Sequence, residues 1–514
     1  MLERLKCYLI NSLCCFLYRR EHQVFIQIRD VEREQREKLI GLLRQNQNCD
    51  YGRRYDFGSI NSIQEFQERV PLTTYEDYAE FIEGIQEGRQ HMLTSEDVVL
   101  LEPTSGSTST SKLIPYTRGL KEEFQKGLKP WIYDLYTGIE GIKWGKSYWS
   151  VTPATVQKEM TPGGVPIGFE EDSAYFGGLE KWLLDHVFAV PCDVAKSKTM
   201  DAFFFQTSVH LLQCRNLTLI SIWNPTYLIL LLAFMNSQAA ALTKHISKKD
   251  TKRGRAISGI LEAKAYHRLW PSLKVISCWG DANAAGVAGQ LKEQFPGVRI
   301  QPKGLLATEA MISFPFVGET GARLSLRSHF FEFRSVKDSR ICLAHELRLG
   351  EHYEVIVTTS GGFYRYQLRD IIAVTGFSGI FPLVAFQGKA DQVSDLFGEK
   401  LNETFVKNAV ERLGVTGFYL VAPESDRYVL YIKAEHLPAQ LDTRLDDLLR
   451  ENFHYDYCRK LGQLQILRIF RLTGNPEQEY LEACMKHGQR LGDIKPRALH
   501  LKGAWDHVFK GEYQ

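Results

Sequence analysis

The stretch Thr104-Ser105-Gly106-Ser107-Thr108-Ser109-Thr110-Ser111-Lys112 decides the fold of this chain. It is a run of small hydroxyl residues around one glycine, closed by a lysine. An apolar segment with one acid, residues 98–102, precedes it, and residues 113–115 follow it. Hydroxyls and backbone N–H groups in a tight loop can surround polyphosphate oxygens, and the lysine adds a positive charge. The stretch therefore predicts a buried strand that ends in a phosphate-binding loop.

Two other interpretations of this loop have to be weighed. Segments rich in serine and threonine are common as plain surface loops or linkers. The lysine and the apolar flanks favour the phosphate loop instead. The Walker A pattern G-x-x-x-x-G-K-[ST] is absent, so the loop is not that of a P-loop enzyme.

Length and composition limit the class of protein. The chain has 514 residues, which predicts two or three domains. Its 44% apolar and 24% charged residues are typical of a globular protein. The net charge of +2 argues against nucleic acid as the main partner. Ten cysteines show no C-x-x-C pair and no metal-site spacing, which favours a reducing, cytoplasmic location.

The apolar segments are too short to predict a transmembrane helix. Residues 7–18 resemble a weak signal sequence, but Asn11 and Ser12 interrupt them and no cleavage site follows. We expect a first helix that packs on the body of the protein. The run at 227–235 has nine residues, and a membrane span needs about 20.

The order of elements predicts two domains. Residues 1–47 have a helical pattern, and strands alternate with helices between residues 147 and 375, which favours an α/β domain with mixed sheets and flanking helices. After residues 388–391 a smaller β/α unit follows, with helices predicted at 402–413 and 437–450 and strands at 417–422, 427–433 and 463–472. We place the domains at residues 1–386 and 387–514.

Two acids are candidates for nucleotide chemistry. Glu309, beside Thr308, can help hold Mg²⁺ next to a triphosphate, because magnesium takes one or two carboxylates plus phosphate oxygens. Alternatively, Thr308 caps a helix and Glu309 lies in its first turn. Asp370, at the start of a predicted strand, can accept both ribose hydroxyls. Alternatively, it lies in a turn and pairs with Arg365 or Arg369.

Two lysines and one histidine complete the candidates. Lys389 lies in the short segment between the domains, which is either a hinge or an ordinary linker. Lys495, followed by Pro496, can reach an anionic centre if it lies on a mobile lid, although surface lysines are common. His329 is expected to be a core histidine rather than a base. No G-x-S-x-G or H-E-x-x-H pattern is present.

Together these segments resemble the adenylate-forming superfamily of luciferases and acyl-CoA ligases, whose first motif is similar to the stretch at 104–112. The finer resemblance is to the auxin-responsive acyl acid–amido synthetases, the Gretchen Hagen family, over about residues 50–500. The supporting residues are Arg69-Val70-Pro71-Leu72, Tyr75-Glu76-Asp77, Lys112-Leu113-Ile114-Pro115, Gly163-Gly164-Val165-Pro166-Ile167-Gly168, Trp223-Asn224-Pro225, Leu269-Trp270-Pro271-Ser272-Leu273, Gly304-Leu305-Leu306-Ala307-Thr308-Glu309, Glu332-Phe333, Tyr353-Glu354-Val355-Ile356-Val357-Thr358-Thr359 and Tyr364-Arg365-Tyr366.

The resemblance implies a role for each candidate. Glu309 would be a catalytic residue and the Mg²⁺ ligand, and Lys495 would contact the reacting carboxylate and the α-phosphate. Three positions depart from the family pattern: Ser109 replaces a glycine, Ser111 a proline, and Arg369 a glycine. The residues that we assign to ATP binding are Thr104, Ser105, Gly106, Ser107, Thr108, Lys112, Thr308, Glu309, Asp370 and Lys389.

The resemblance also implies an enzyme with a large N-terminal adenylation domain and a smaller, mobile α+β C-terminal lid. It would use ATP and Mg²⁺ to convert a carboxylic acid into an acyl-adenylate, and then transfer the acyl group to an amine such as an amino acid. We expect it to act as a monomer. Two alternatives remain: an acyl-CoA ligase or other adenylate-dependent acyltransferase, and a binding module whose ATP site has degenerated at the three departures.

Overall fold

The computed structural model covers the chain as two compact units, Met1–Leu368 with Ile372–Phe386, and Arg369–Ile371 with Gln387–Gln514. The residues that it describes are 1–104, 112–150, 159–168, 183, 185–197, 199–281, 284–390, 393–394, 396–397, 399, 401–434, 437–486, 489 and 494–514.

Helices of the first unit cover its sheets. A proline begins α8, and Asn224 caps it by accepting the Thr226 N–H at 2.9 Å, as the sequence predicts. Within the described residues the α-helices are α1 (Leu2–Ile26), α2 (Val31–Asn46), α3 (Asp50–Arg54), α4 (Ile63–Arg69), α5 (Ala79–Gln86), α6 (Arg118–Gly138), α7 (Met200–Gln213), α8 (Pro225–Ser237), α9 (Ala239–Ser247), α10 (Thr251–Glu262) and α11 (Ala284–Gln294).

Strands of this unit form three sheets. Their described members are β1 (Leu100–Pro103), β2 (Leu113–Tyr116), β3 (Lys146–Trp149), β4 (Glu159–Met160), β5 (Pro166–Ile167), β6 (Leu217–Ser221), β7 (Val275–Cys278), β8 (Arg299–Pro302), β9 (Ser313–Pro315), β10 (Ala322–Leu324), β11 (Phe330–Ser335), β12 (Ile341–Leu343), β13 (His352–Thr358), β14 (Tyr366–Ser378) and β15 (Phe381–Lys389). The largest sheet has the order β12-β11-β13-β14-β15-β10-β9.

A second sheet is parallel throughout and has the order β3-β6-β7-β8. Helix α7 lies between β3 and β6 in the chain, α8 to α10 between β6 and β7, and α11 between β7 and β8. Parallel strands need such crossovers. All four strands therefore end at one edge of the sheet, and the residues that follow them meet there.

The third sheet carries the hydroxyl-rich stretch. Strands β1 and β2 pair antiparallel, with Leu100 opposite Tyr116 and Pro103 opposite Leu113, and β5 and β4 extend the sheet. The predicted strand at 98–101 is confirmed with a shift, because β1 begins at Leu100 and ends at Pro103. The stretch at 104–112 thus connects the two strands of a hairpin.

The predicted helical pattern of residues 1–47 is confirmed. It forms two helices, because Asp30 adopts an extended backbone and accepts the Arg33 N–H at 2.9 Å, which begins α2. The expected packing of the first helix is confirmed. The ring of Phe25 lies 4.9 Å from the rings of both Phe314 and Phe381, on the largest sheet.

The second unit is a smaller α+β structure. Its described sheet has the order β18-β19-β20-β21, and its buried residues include Leu430, Leu445 and Tyr455. The strand predicted at 463–472 is shorter, and β20 occupies only its end. The described elements are β16 (Val393–Ser394), β17 (Leu401–Asn402), α12 (Glu403–Arg412), β18 (Phe418–Glu424), β19 (Arg427–Lys433), α13 (Leu441–Leu449), α14 (Phe453–Lys460), β20 (Arg468–Leu472), α15 (Pro476–Lys486) and β21 (Gly511–Tyr513).

Among the described residues no single helix is long and apolar enough to cross a membrane, while Pro225–Ser237 and Ala239–Ser247 pass that test only as a pair bent by 76°. The ten cysteines form no disulfide within the described part of the chain.

Candidate active site

The base of the hydroxyl-rich loop is a closed hairpin. The Thr104 N–H donates to the Lys112 carbonyl at 2.8 Å, directly beyond the last pair of the β1–β2 ladder. The predicted phosphate-binding residues Ser105, Gly106, Ser107 and Thr108 lie outside the described residues, as do Ser109 and Ser111. The described part of the predicted phosphate site therefore consists of Thr104, Lys112 and the residues around them.

Lys112 faces an aromatic ring and an acid from the segment before α5. Its Nζ lies 5.5 Å from the centre of the Tyr75 ring. The Tyr75 hydroxyl accepts the Leu113 N–H at 2.8 Å, which fixes the ring against β2. The pKa of Glu76 is lowered by hydrogen bonds from its own backbone N–H and from Thr74, and further by the charge of Lys112. Lys112 thus lies on a ring that is held in place from the same hairpin.

Thr308 and Glu309 occupy the tip of a tight turn. Leu306 and Met311 form an antiparallel bridge, and Ala307 and Ala310 exchange backbone hydrogen bonds of 2.9 and 3.3 Å. No helix begins here, so the helix-cap alternative for Thr308 and Glu309 is wrong. Both side chains are half-buried. We refer to residues 306–311 as the acidic turn.

Two hydrogen bonds fix the acidic turn to the rest of the unit. The Tyr116 hydroxyl, at the end of β2, donates to the Thr308 carbonyl at 2.6 Å. The Met311 N–H donates to Nε2 of His329 at 2.9 Å. Burial raises the pKa of Tyr75, and the charge of Glu309 raises it further. Lys112 and Glu309 are therefore both near Tyr75, and the acidic turn is tied to the hairpin that carries the hydroxyl-rich loop.

His329 belongs to a buried charged network, so its interpretation as a core residue is confirmed. Its Nδ1 lies 3.0 Å from Glu123 on α6, and Glu123 also binds Lys38 on α2 at 2.5 Å. The same carboxylate accepts the N–H of Ser360 at 2.9 Å and its hydroxyl at 2.5 Å. Because Met311 donates to Nε2, that nitrogen carries no proton, and Nδ1–H donates to Glu123.

Charges in this network are assigned by burial and pairing. Burial, the largest single effect, would raise the pKa of Glu123, but the charges of Lys38 and His329 and the hydrogen bonds from both together outweigh it, so the pKa falls to about 2. Burial lowers the pKa of His329, which keeps the imidazole neutral. Glu123 is thus an ionised carboxylate that positions the imidazole, and the imidazole positions the acidic turn.

Asp370 and Lys389 form an ion pair within the second unit. Asp370 is 4% exposed on β14, and its Oδ1 lies 3.1 Å from Nζ of Lys389 at the end of β15. The alternative that placed Asp370 in a turn is wrong, because β14 begins four residues earlier, at Tyr366. Arg365 pairs with Glu332 instead, with two contacts of 3.0 Å.

The departure at Arg369 has a structural explanation. Arg369 takes a φ of +61°, in the left-handed region that glycine adopts at no steric cost. The Ala390 N–H donates to its carbonyl at 2.6 Å, which holds this conformation beside Asp370. Arg369 therefore holds a backbone conformation that glycine would adopt more easily.

Lys495 lies in the second unit with an exposed side chain. Its carbonyl accepts the Tyr480 hydroxyl at 3.2 Å, so α15 holds the backbone at this position. Gly492 and Asp493 lie outside the described residues. The structure places Lys112 and Glu309 near the Tyr75 ring, ties Thr308 to Tyr116, and pairs Asp370 with Lys389.

Two family models match the chain in succession: the GH3 family N-terminal domain over residues 21–300 and the GH3 family central domain over residues 323–389. The chain belongs to the GH3 family. The resemblance drawn from the sequence motifs is thereby confirmed. Lys112 lies in the N-terminal match and Asp370 and Lys389 in the central match, whereas the acidic turn lies between the two and Lys495 after both.

Relatives and solved structures agree with this family. The chain is 22% identical to indole-3-acetic acid-amido synthetase GH3.4 of Arabidopsis thaliana, over 77% of this chain and 72% of that protein. It is also 22% identical to GH3.17 of the same plant, over 92% of each chain.

The fold comparison extends to other adenylate-forming enzymes. The AtGH3.15 acyl acid amido synthetase in complex with 2,4-DB has a TM-score of 0.79 at 18% identity, covering 95% of this chain and 94% of that one. A 2-hydroxyisobutyryl-CoA ligase in its postadenylation state has a TM-score of 0.51 at 13% identity, covering 86% of each chain. The GH3 chain therefore has the predicted α/β fold of adenylate-forming enzymes, with a large N-terminal and a smaller C-terminal part.

Several residues of this site were missed by the sequence analysis. Glu123 follows Glu122 on an amphipathic helix, and nothing local distinguishes the buried acid from the exposed one. Tyr116, which follows the segment 113–115, and Lys303, which follows the predicted strand at 298–302, received no role. Lys303 offered a signal, because a lysine directly after a strand of a parallel sheet lies at the edge where ligands bind.

Proposed function

We propose that this GH3 family member is an ATP-dependent ligase that converts a carboxylic acid into an acyl-adenylate and transfers the acyl group to an amino acid, forming an amide. The single observation that carries the proposal is the 2.6 Å hydrogen bond from Tyr116 to the Thr308 carbonyl. It joins the hairpin of the hydroxyl-rich loop to the turn that carries Glu309. The names of the relatives, which are acyl acid and indole-3-acetic acid amido synthetases, support this chemistry.

The first half-reaction would use the charges around Tyr75. The carboxylate of the acid attacks the α-phosphorus of ATP, pyrophosphate leaves, and negative charge grows on the phosphoryl oxygens. Lys112, at the base of the loop, would supply positive charge there, and loop N–H groups would donate hydrogen bonds. Removing one preorganised donor of this kind costs about 3 kcal/mol of transition-state stabilisation.

A magnesium ion would fit this arrangement only with help from its nucleotide. Among the described residues, no group of three or more His, Cys, Asp or Glu side chains could hold a metal ion. Glu309 is a half-buried carboxylate at an accessible turn, and magnesium is commonly held by one or two carboxylates plus substrate phosphates. We therefore assign Glu309 as the protein ligand. The ion would supply charge neutralisation at the phosphates.

We also propose roles for Asp370, Lys495 and the two domains. Asp370 would accept the ribose hydroxyls through the oxygen that Lys389 does not bind. Lys495 would contact the reacting carboxylate and the α-phosphate. Residues 1–386 would form the adenylation domain and 387–514 a mobile lid, which is useful because water destroys a mixed anhydride.

Exchange of pyrophosphate into ATP tests the first half-reaction. A screen of carboxylic acids should find acids that support exchange in the wild-type protein, and Glu309→Ala should lower that exchange at least about 100-fold. Glu122→Ala, on the exposed face of α6, is the matched control and should leave the rate unchanged. Wild-type exchange in Glu309→Ala would exclude the assignment of Glu309.

The acceptor is tested by product analysis. With an acid that passes the exchange screen, amino acids should yield an amide and AMP. Formation of a thioester with coenzyme A, and of no amide, would instead favour the acyl-CoA ligase. Absence of exchange with every acid would favour the binding module.

A further inference from the structure

Lys303 is a buried cation that follows the last strand of the parallel sheet. It lies directly after β8 and is only 6% exposed. Its Nζ donates to the Ser221 hydroxyl at 2.8 Å. Within the described part of the chain, no carboxylate forms an ion pair with it. Burial of an ammonium without a counter-charge is costly, so its retention here needs a reason.

Three tryptophans form a cage around this ammonium. Nζ of Lys303 lies 4.5 Å from the ring centre of Trp131, 4.9 Å from that of Trp223 and 5.5 Å from that of Trp149. The indole N–H of Trp131 donates to the buried Gln301 at 3.2 Å, which fixes that ring from β8. Faces of indole rings attract cations, and this attraction offsets part of the cost of burial.

The carboxyl edge of the parallel sheet brings these residues together. Trp149 ends β3, Trp223 follows β6 by two residues, Trp279 follows β7, and Lys303 follows β8. Trp149, Trp223 and Trp279 are each partly exposed, and the last two rings lie 6.3 Å apart. Ligands of open α/β sheets bind at this edge. The edge therefore presents aromatic surface above a buried cation.

Neighbouring titratable groups do not neutralise Lys303. The Cys278 thiol could attract the Lys303 ammonium only as a thiolate, but burial raises its pKa to about 12, so it is uncharged at neutral pH. Asp281, at the same edge, accepts the Phe386 N–H at 3.1 Å. Burial lowers the pKa of Lys303 itself to about 7. An anionic ligand oxygen would supply a counter-charge that none of the described residues provides.

We propose that Lys303 binds a second anionic oxygen on the acyl substrate, so that this enzyme takes aromatic acids with an acidic group opposite the reacting carboxylate. The inference rests on the proposed function. The partners of Lys303 and those of the acidic turn have no residue in common, so replacing Lys303 should leave the acidic turn intact. Lys303 precedes Thr308 by five residues, a chain length of at most about 18 Å, so it belongs to the same part of the first unit as the acidic turn.

Exchange assays with matched acids test this specificity. Benzoate is compared with terephthalate, and phenylacetate with 4-carboxyphenylacetate, in the wild type, in Lys303→Met and in Lys292→Met, an exposed lysine on α11 as control. The wild type and the control should prefer the dicarboxylic member by at least about tenfold in kcat/KM, as a charge-assisted hydrogen bond predicts. Lys303→Met should lose or reverse this preference. Methionine matches the length of lysine, and removal of an unpaired buried charge should not unfold the protein.

Calorimetry supplies a readout that does not depend on turnover. Burial lowers the pKa of Lys303 and an anion beside it would raise that pKa again, so binding of terephthalate near pH 7 should be coupled to proton uptake by Lys303. The uptake appears as a dependence of the binding heat on the ionisation enthalpy of the buffer, and it should vanish in Lys303→Met.

The outcomes separate the two proposals. Exchange that falls equally for both members of each pair in Lys303→Met, or an unchanged preference together with no proton uptake in the wild type, would overturn the role of Lys303. Neither result would affect the proposed ligase, which fails only if no acid supports exchange.

Discussion

Replacing His329 by leucine should destabilise the protein and misplace the acidic turn. The imidazole is fully buried and makes two hydrogen bonds, with Glu123 at 3.0 Å and with the Met311 N–H at 2.9 Å. Leucine fills similar space but leaves Met311 with a buried, unsatisfied donor, which costs about 1–3 kcal/mol. Glu123 loses one hydrogen bond to a charged group, worth about 1.5–3 kcal/mol, and keeps Lys38 and Ser360. We expect a total loss of about 3–5 kcal/mol.

Unfolding in urea at pH 7 measures the loss of stability in His329→Leu. Pyrophosphate exchange, under conditions where the variant is fully folded, measures the misplacement of the acidic turn. Exchange should fall about 10- to 100-fold, mainly in kcat, because catalytic groups tolerate little displacement. His329→Gln, which can accept the Met311 N–H again, should recover part of both losses. A leucine variant within about 0.5 kcal/mol of the wild type, with normal exchange, would show that the imidazole does not position the turn.

The difference in stability between the wild type and His329→Leu depends on pH, because the pKa of His329 is lowered in the folded protein. The native imidazole stays neutral, whereas in the unfolded chain it is protonated below about pH 6.5. The unfolded state therefore binds more protons as the pH falls, and the contribution of His329, complete above pH 6.5, declines by at most about 1.4 kcal/mol per pH unit. The stability gap between the wild type and the leucine variant should narrow from pH 7 to pH 5. Glu123, Lys38 and Lys126 face the imidazole, and the lowered pKa of Glu123 keeps that carboxylate ionised across this range.

Two further predictions concern ion pairs. Glu332→Gln should lower the free energy of unfolding in urea by about 3–5 kcal/mol, because Arg365 remains buried and charged. Glu122→Gln, on the exposed face of α6, should change it by less than about 0.5 kcal/mol, and similar losses in both variants would contradict this reasoning. Asp370→Asn should raise the KM for ATP in the exchange assay about tenfold, because it removes the proposed ribose acceptor. Lys389→Met keeps that acceptor and should lower or preserve the KM for ATP. An equal rise in both variants would mean that the ion pair, rather than the free acid, binds ATP.

The fold was predictable from the sequence wherever local patterns determine it. Asn224 and Pro225 begin a helix by capping and ring geometry, which depend on neighbours in the chain. The pair of Asp370 and Lys389 could also have been found. Counting back from Gly379 and Ile380, which separate β14 from β15, places residue 370 opposite residue 389. The pair was missed because the strand was predicted to begin at Asp370 and residues 388–391 were interpreted as a hinge or a linker between the domains.

The buried network could not be predicted in this way. Glu123 is ionised in the core because Lys38 and His329, 85 and 206 residues away, meet it there. No periodicity within α6 contains that information. The acidic turn could not be predicted for the same reason. Residues 306–311 bend where Tyr116 and His329, both distant in the chain, bind them, and the sequence alone allowed a helix N-terminus equally well.

Buried charges in this protein divide into two kinds, and the division separates structural from ligand-binding roles. Glu123 and Arg365 find their partners inside the fold, so their removal should act first on stability. Lys303 is similarly buried, but within the described residues its ammonium has a hydroxyl, aromatic rings and an uncharged thiol as neighbours instead of a carboxylate. A cation kept out of water without a counter-charge gains free energy from any anion that reaches it. Its removal should therefore change the choice of substrate more than it changes stability, and this contrast with Glu332→Gln can be measured with the same urea and exchange assays.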